Sequence, residues 1–107
     1  MPIYNKLVRD KIPEIIGDSG RAYNIRTLIE AEYVKELKLK LGEEVEEYLR
    51  ATQDRQSLEE LADIIEIIHS LVKVHGETIF QVEEIRKEKV MERGGFSDWI
   101  FLVDVED

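Results

Sequence analysis

Apolar residues recur at helical spacing along most of this chain. One stripe repeats every three or four residues: Val34, Leu37, Leu41, Val45 and Tyr48. It predicts a helix from about 29 to 50. Similar stripes predict a second long helix over about 56–74 and a third over about 78–91, which Gly94 and Gly95 end. We therefore expect an antiparallel bundle of helices.

The N-terminal part of the chain has a helical pattern that a proline interrupts. Apolar residues between 4 and 16 lie close to helical spacing, and Pro13 falls within them. Proline either starts a helix in its first turn or kinks one, and the pattern allows both outcomes. The segment GDSG at 17–20 then predicts a turn.

Two segments favour β-structure. The run WIFLVDV at 99–105 is rich in β-branched and aromatic residues, and residues 22–28 partly alternate. We expect them to pair as a small two-stranded ribbon that leans on the helices or on a partner subunit, because an isolated ribbon is marginal in water. The predicted fold is thus mainly all-α, a helical bundle with a small β ribbon, in a single domain over 1–107.

Four acidic residues lie symmetrically about the turn predicted at 51–57: Glu44, Glu47, Glu60 and Asp63. In an antiparallel pair centred on that turn, residues whose numbers add to 107 lie at the same height, so Glu44 faces Asp63 and Glu47 faces Glu60. At a rise of about 1.5 Å per residue, the two rungs are about 4.5 Å apart. Carboxylates this close repel unless a cation lies between them, and such oxygen sites suit Mg²⁺ or Mn²⁺.

Helical geometry also separates these acids from their neighbours. At about 100° per residue, the same four acids fall within or beside the apolar stripes. The acids that point to solvent are Glu43, Glu46, Glu59 and Glu66. A carboxylate drawn into an apolar groove must be paired, protonated or metal-bound, which favours a cation site.

Two structural alternatives remain for the acids. A Glu-rich helix is often a solvated face whose acids pair with nearby bases, here Lys40, Arg50 and Arg55. Ser57 and Glu60 also match a capping box at the start of the second helix, unless Asp54 caps that helix instead.

Composition excludes several classes of function. The 107 residues include 24 acidic and 15 basic side chains, a formal charge of −9, which argues against binding to long nucleic acid. The absence of cysteine excludes disulfides and thiolate chemistry. No apolar stretch approaches the ~20 residues that span a bilayer, and the first residues lack the apolar core of a signal peptide, so we expect a cytoplasmic protein with no membrane partner.

The acidic pattern resembles that of a known enzyme family. The pattern between Glu43 and Asp63 is EExxE followed by ExxD. It is similar to the signature of the all-α MazG-type nucleoside triphosphate pyrophosphohydrolases. That superfamily includes the phosphoribosyl-ATP pyrophosphohydrolases. The segment KVMERGGF at 89–96 resembles their phosphate-binding element, and YNKLVRDKIPEII at 4–16 resembles the start of a small stand-alone branch. The resemblance implies Mg²⁺-dependent cleavage between the α and β phosphates of a nucleotide.

The resemblance also implies roles for individual residues. Glu44, Glu47, Glu60 and Asp63 would hold Mg²⁺, with Mn²⁺ as an alternative, and Glu47 or Glu44 would orient or deprotonate the attacking water. Lys89 and Arg93 would bind substrate phosphates, although they also suit a helix C-terminus. The basic residues Lys6, Arg9 and Lys11 would guide or bind the nucleotide, or instead pair with acids elsewhere.

Two other functions fit parts of the pattern. Glu66 and His69 form one Glu-x-x-His motif, but carboxylate-bridged di-iron bundles need two on different helices. The main alternative is a non-catalytic helical dimerisation or adaptor module with an acidic groove. Because the helices have wide apolar faces, we expect a homodimer or a larger homo-oligomer under either hypothesis.

Overall fold

The protein folds as four α-helices in the computed structural model, which describes residues 2–107. In chain order the helices are α1 (Ile12–Asp18), α2 (Glu30–Arg50), α3 (Asp54–Val74) and α4 (Ile79–Arg93). The described residues contain no β-strand. The prediction of a mainly all-α fold is confirmed.

Helices α2 and α3 form an antiparallel hairpin, and the few buried side chains belong to it. Leu37 of α2 and Ile67 and Val72 of α3 are the buried apolar residues. The two helices are joined by only three residues, 51–53. This short loop requires the helices to run side by side, so their apolar stripes face each other along their lengths.

The predicted bounds of α2 are confirmed, whereas α3 begins earlier than predicted. Its first residue is Asp54, and Gln53 occupies the N-cap position. Ser57 is therefore already inside the helix, with its backbone amide bonded to the Gln53 carbonyl at 3.0 Å. The capping box of Ser57 and Glu60 is wrong, which leaves the Glu60 carboxylate free for other contacts.

Helix α1 shows that Pro13 lies in the first turn of a helix. Proline is the second residue of this helix, where its missing amide is not needed, so it starts the helix rather than kinking a longer one. Residues 2–11 precede the helix without regular structure. Within them Leu7 is half-buried.

Helix α4 has clear start and stop signals but little packing. The Thr78 amide donates to Gln81 Oε1 at 2.8 Å, and Gly94 ends the helix with a φ of 82°. No residue of α4 is buried. The helix touches α3, and side chains from the end of α3 and from Val82 line a shallow apolar pocket beside the connection.

The predicted β ribbon is not present in the described residues. Segments 22–28 and 99–105 lack regular structure, and no backbone hydrogen bond joins them. A turn at 96–98 and a left-handed backbone at Trp99, with φ 58°, interrupt the start of the second segment. Neither segment has a packed surface to rest on, which a two-stranded ribbon needs.

Membrane-spanning segments are also absent from the described residues, since none of the helices combines the length and apolar character needed to cross a bilayer.

Candidate metal centre

Three glutamates of the α2–α3 hairpin come together as one cluster. Glu44 and Glu47 lie on α2 and Glu60 lies on α3, and each offers a carboxylate oxygen within 4.8 Å of those of the other two. Glu44 is buried, with 9% of its surface exposed, Glu60 is half-buried, and Glu47 is exposed. The cluster thus extends from the interior of the hairpin to its surface.

The loop length explains which carboxylates meet. Because Arg50 and Asp54 flank the loop, residues whose numbers add to 104 lie at the same height. Glu44 therefore lies opposite Glu60, not opposite Asp63 as the longer predicted turn implied. The same register brings Leu37 level with Ile67, which explains why these two residues are buried.

Proximity and burial change the acidity of the cluster. Desolvation raises the pKa of Glu44 to about 7, with further contributions from the adjacent Glu60 carboxyl and from the charges of Glu47 and Asp63. The pKa of Glu60 is also raised: the adjacent Glu44 carboxyl acts to lower it, but desolvation and the proximity of Glu47 outweigh that effect. The metal-free cluster therefore retains a proton near neutral pH.

Two oxygens of the cluster have no hydrogen-bond partner among residues 2–107. Glu44 Oε2 and Glu60 Oε2 are both buried and accept no hydrogen bond. Leaving a buried carboxylate oxygen unpaired is costly, and a bound cation removes that cost. Because all three ligand groups are carboxylates, the donor set fits a hard divalent cation such as Mg²⁺ or Mn²⁺.

Asp63, the fourth predicted ligand, lies beside the cluster but is paired with a base. Arg9 Nη2 lies 2.7 Å from Asp63 Oδ1, in an ion pair that joins the N-terminal segment to α3. Asp63 does not belong to the three-carboxylate cluster, yet its charge helps to raise the pKa of both Glu44 and Glu60. The alternative in which the N-terminal bases pair with acids holds for Arg9.

The other predicted phosphate-binding residues do not contact the cluster. Lys89 and Arg93 are exposed near the end of α4, without an ion pair in the described part of the chain. Lys6 is exposed beside Leu7 and lies against α2 near Glu36, Leu39 and Glu43. Their proposed roles therefore depend on substrate or on a second subunit.

The remaining acids lie as helical geometry predicts. Glu43, Glu46, Glu59 and Glu66 are exposed. Glu46 pairs with Arg50 at 2.8 Å and Glu59 with Arg55 at 3.2 Å, both one helical turn apart. His69 is exposed as well. With Glu66 turned to solvent, the Glu66 and His69 motif contributes nothing to the cluster.

Sequence reasoning missed the pairing of Arg9 with Asp63. The two residues are 54 positions apart, and the segment that carries Arg9 has no helical period that would fix its direction. The available signal was the local concentration of Lys6, Arg9 and Lys11 in an acidic chain. That concentration of basic residues predicts pairing with acidic residues, but it does not identify Asp63 as the partner of Arg9.

Comparison with known proteins adds one partial relative. An uncharacterised protein of Mycolicibacterium smegmatis is 54% identical over 52 residues, which cover 49% of this chain and 52% of the relative. The chain thus matches about half the length of that relative, whose name carries no activity. No family model matches the chain, and no solved structure matches it.

Proposed function

We propose that this protein is a Mg²⁺-dependent nucleotide pyrophosphohydrolase, which cleaves the bond between the α and β phosphates and yields a nucleoside monophosphate and pyrophosphate. The observation that carries the proposal is the Glu44, Glu47 and Glu60 cluster with its two buried, unpartnered oxygens. The sequence resemblance to MazG-type enzymes supplies the reaction class. Mn²⁺ is the alternative cation for the same ligands.

The three glutamates differ in exposure, which suggests different roles. All three are proposed as ligands; Glu44 and Glu60 turn oxygens into the hairpin, while Glu47 is exposed and accessible to water. We assign to Glu47 the orientation of the attacking water, with Glu44 as the alternative base. A bound Mg²⁺ would neutralise phosphate charge and favour departure of pyrophosphate.

Basic side chains are proposed to bind the phosphates that the cation does not reach. Lys89 and Arg93 lie one helical turn apart on α4, and both are exposed and form no ion pair with any residue from 2 to 107. Arginine binds phosphate in a two-pronged geometry and lysine as a point charge. Lys6 and Arg9 are proposed to approach the nucleotide from the N-terminal segment.

The reaction is tested by incubating the purified protein with a panel of nucleoside triphosphates and Mg²⁺, followed by product identification. Monophosphate and pyrophosphate support the proposal. Diphosphate and orthophosphate would mean that a different bond is cleaved. An absence of turnover across the panel, together with an absence of stabilisation by divalent cations, would favour the non-catalytic adaptor.

We also propose that the protein works as a homodimer or larger homo-oligomer. Its radius of gyration is 18.7 Å, whereas a compact chain of this length has about 13 Å. Its accessible surface is 10019 Å², against about 6,200 Å² for a folded monomer of its mass. The excess accessible surface is large enough to form an obligate interface, which buries about 2,000–5,000 Å² in total.

The exposed apolar side chains indicate which surfaces a second copy would cover. In the C-terminal segment, seven large apolar residues are between 73% and 98% exposed: Phe96, Trp99, Ile100, Phe101, Leu102, Val103 and Val105. On α4, Phe80, Ile85 and Met91 are also more than half exposed. Exposed apolar side chains in this number favour association.

Sedimentation tests the assembly. The wild-type protein should sediment as a dimer or larger species, and Phe101→Asp should weaken association by about 30-fold, the cost of losing a strong interface residue. Asp104→Asn alters the same segment without removing apolar surface and should leave association unchanged. A wild-type protein that is monomeric at all concentrations would contradict the proposal.

A further inference from the structure

One ion pair crosses the molecule beside the carboxylate cluster. Arg9 Nη2 contacts Asp63 Oδ1 at 2.7 Å across 54 positions of sequence. Within residues 2–107, the other ion pairs join residues no more than six positions apart, such as Arg50 with Glu46. The Arg9 pair is thus a tertiary contact, whereas the others are local.

The N-terminal segment runs across the hairpin to make this contact. Lys6 and Leu7 lie against α2 next to Leu39 and Glu43, and two residues later Arg9 reaches α3. Leu7 is half-buried, while the residues on either side of it are exposed. The segment is therefore held to the hairpin by few contacts, of which the Arg9 pair is the charged one.

Asp63, the partner of Arg9, lies beside the carboxylate cluster without belonging to it. It lies three residues after Glu60 on α3, so the two side chains are neighbours on one helix face. Its charge already acts on Glu44 and Glu60, yet its oxygens are not among those that meet within 4.8 Å. The positive charge next to Asp63 is the guanidinium of Arg9.

We propose that Arg9 is a releasable internal counter-ion of the metal centre. Arg9 holds Asp63 while the cluster is metal-free, and it releases Asp63 when a divalent cation binds, so that the fourth carboxylate joins the other three. The release frees the guanidinium for an anionic group of the substrate and loosens the N-terminal segment from the hairpin. This inference rests on the proposed cation site.

The balance of charges favours such an exchange. The Arg9 and Asp63 side chains are 56% and 39% exposed, and pairs this exposed contribute little net stability, so breaking the pair is easy. A guanidinium and a divalent cation at one carboxylate also repel each other. The Arg9 and Asp63 ion pair stabilises the metal-free state. By linkage, it must lower the cation affinity by the same factor.

The central experiment measures Mg²⁺ affinity by calorimetric titration of the full chain. Arg9→Gln should bind Mg²⁺ about two- to fivefold more tightly than wild type, the range expected when an exposed ion pair no longer competes. Arg9→Lys keeps the charge and should return most of the wild-type affinity. Arg50→Gln changes net charge equally and breaks an exposed pair of 2.8 Å on α2, so it should leave affinity unchanged.

The movement of the segment is measured separately. Because the chain has no cysteine, Val8→Cys introduces a single site for a spin label next to Arg9. Mg²⁺ should increase the mobility of this label in the otherwise wild-type protein. In the Arg9→Gln background the label should be mobile from the start and respond little to Mg²⁺.

The outcomes separate this inference from the proposed function. Weaker Mg²⁺ binding by Arg9→Gln would mean that Arg9 orients Asp63 for the cation, and equal binding would mean that the pair is independent of the site. Either result overturns the inference while the cation site stands. An absence of Mg²⁺ binding in both wild type and Arg9→Gln overturns the inference and the cation site together.

Discussion

The α2–α3 hairpin and the C-terminal region from α4 onward differ in what stabilises them. The hairpin contains each side chain identified as buried, namely Leu37, Ile67, Val72 and Glu44. Helix α4 has no buried residue, and the segment that follows it exposes its aromatic and aliphatic side chains to water. The hairpin therefore supplies its own apolar contacts, whereas the apolar side chains of the C-terminal region are left exposed by residues 2–107.

The buried carboxylate of the proposed cation site lies in the hairpin and not in the C-terminal region. Burial of Glu44 requires a rigid, desolvated frame, and the hairpin provides it. The C-terminal region carries Lys89 and Arg93, which need only reach a ligand and can be ordered by a partner or substrate. The buried carboxylate of the proposed centre, which costs free energy to desolvate, thus lies in the hairpin, where the apolar core is.

The largest expected effect comes from removing the buried carboxylate of the hairpin. Glu44→Gln should reduce turnover by about 100-fold or more, because losing a metal ligand costs at least as much as losing a residue that supports one. Glu46→Gln is the matched control, since Glu46 lies on the same helix but faces solvent. Steady-state kinetics at saturating Mg²⁺ measures both. Equal activity of the two variants would mean that the site is elsewhere.

Core substitutions compare the two regions directly. Ile67→Ala should reduce the free energy of unfolding by about 2–4 kcal/mol, the usual cost of emptying a buried site. Ile100→Ala removes the same atoms from a side chain that is 85% exposed, and in the dissociated chain it should change stability by less than about 0.5 kcal/mol. Urea unfolding at low protein concentration measures both. Similar losses would show that residue 100 is covered within a single chain.

An effect of similar size is expected from pH in the metal-free protein. Because the folded state raises the pKa of Glu44 from 4.5 to about 7, the folded state binds a proton that the unfolded state has released. This contribution is fully present below pH 4.5 and is lost as the pH rises through 7. The loss should be about 3 kcal/mol, because each pKa unit corresponds to about 1.4 kcal/mol.

Glu44→Gln isolates this contribution, because the variant has no carboxyl group to titrate at that position. Between pH 4.5 and 7, the free energy of unfolding of wild type should fall more steeply than that of the variant. Saturating Mg²⁺ should flatten the wild-type slope, since a bound cation favours the ionised carboxylates. Parallel pH profiles of the two metal-free proteins would argue against a buried, proton-binding Glu44.

Much of the helical framework could be predicted from the sequence because helical periodicity is a local signal. The stripe around Leu37 and Leu41 gave the bounds of α2, and the rotation of each helix correctly separated Glu44 from Glu43 and Glu46. The grouping of Glu44, Glu47 and Glu60 followed once the two helices were taken to be antiparallel.

The features that were not predicted depend on register and on partners. The loop at 51–53 is shorter than the predicted turn at 51–57, which shifted the facing pairs, so Glu44 meets Glu60 instead of Asp63. The β ribbon failed because Trp99 and its neighbours have strong strand propensity but no surface to pack against within the chain. Arg9 reached Asp63 through a segment without periodicity, which no local pattern encodes.

The proposed function depends on a divalent cation held by Glu44, Glu47 and Glu60, and direct binding of Mn²⁺, followed by electron paramagnetic resonance, is the sharpest test of that cation site. Wild type should bind Mn²⁺ saturably, Glu60→Gln should bind it at least about tenfold more weakly, and Glu59→Gln, which alters the exposed neighbour, should bind it as wild type does. Non-saturable binding by wild type at millimolar Mn²⁺, or equal binding by wild type and Glu60→Gln, would contradict the account.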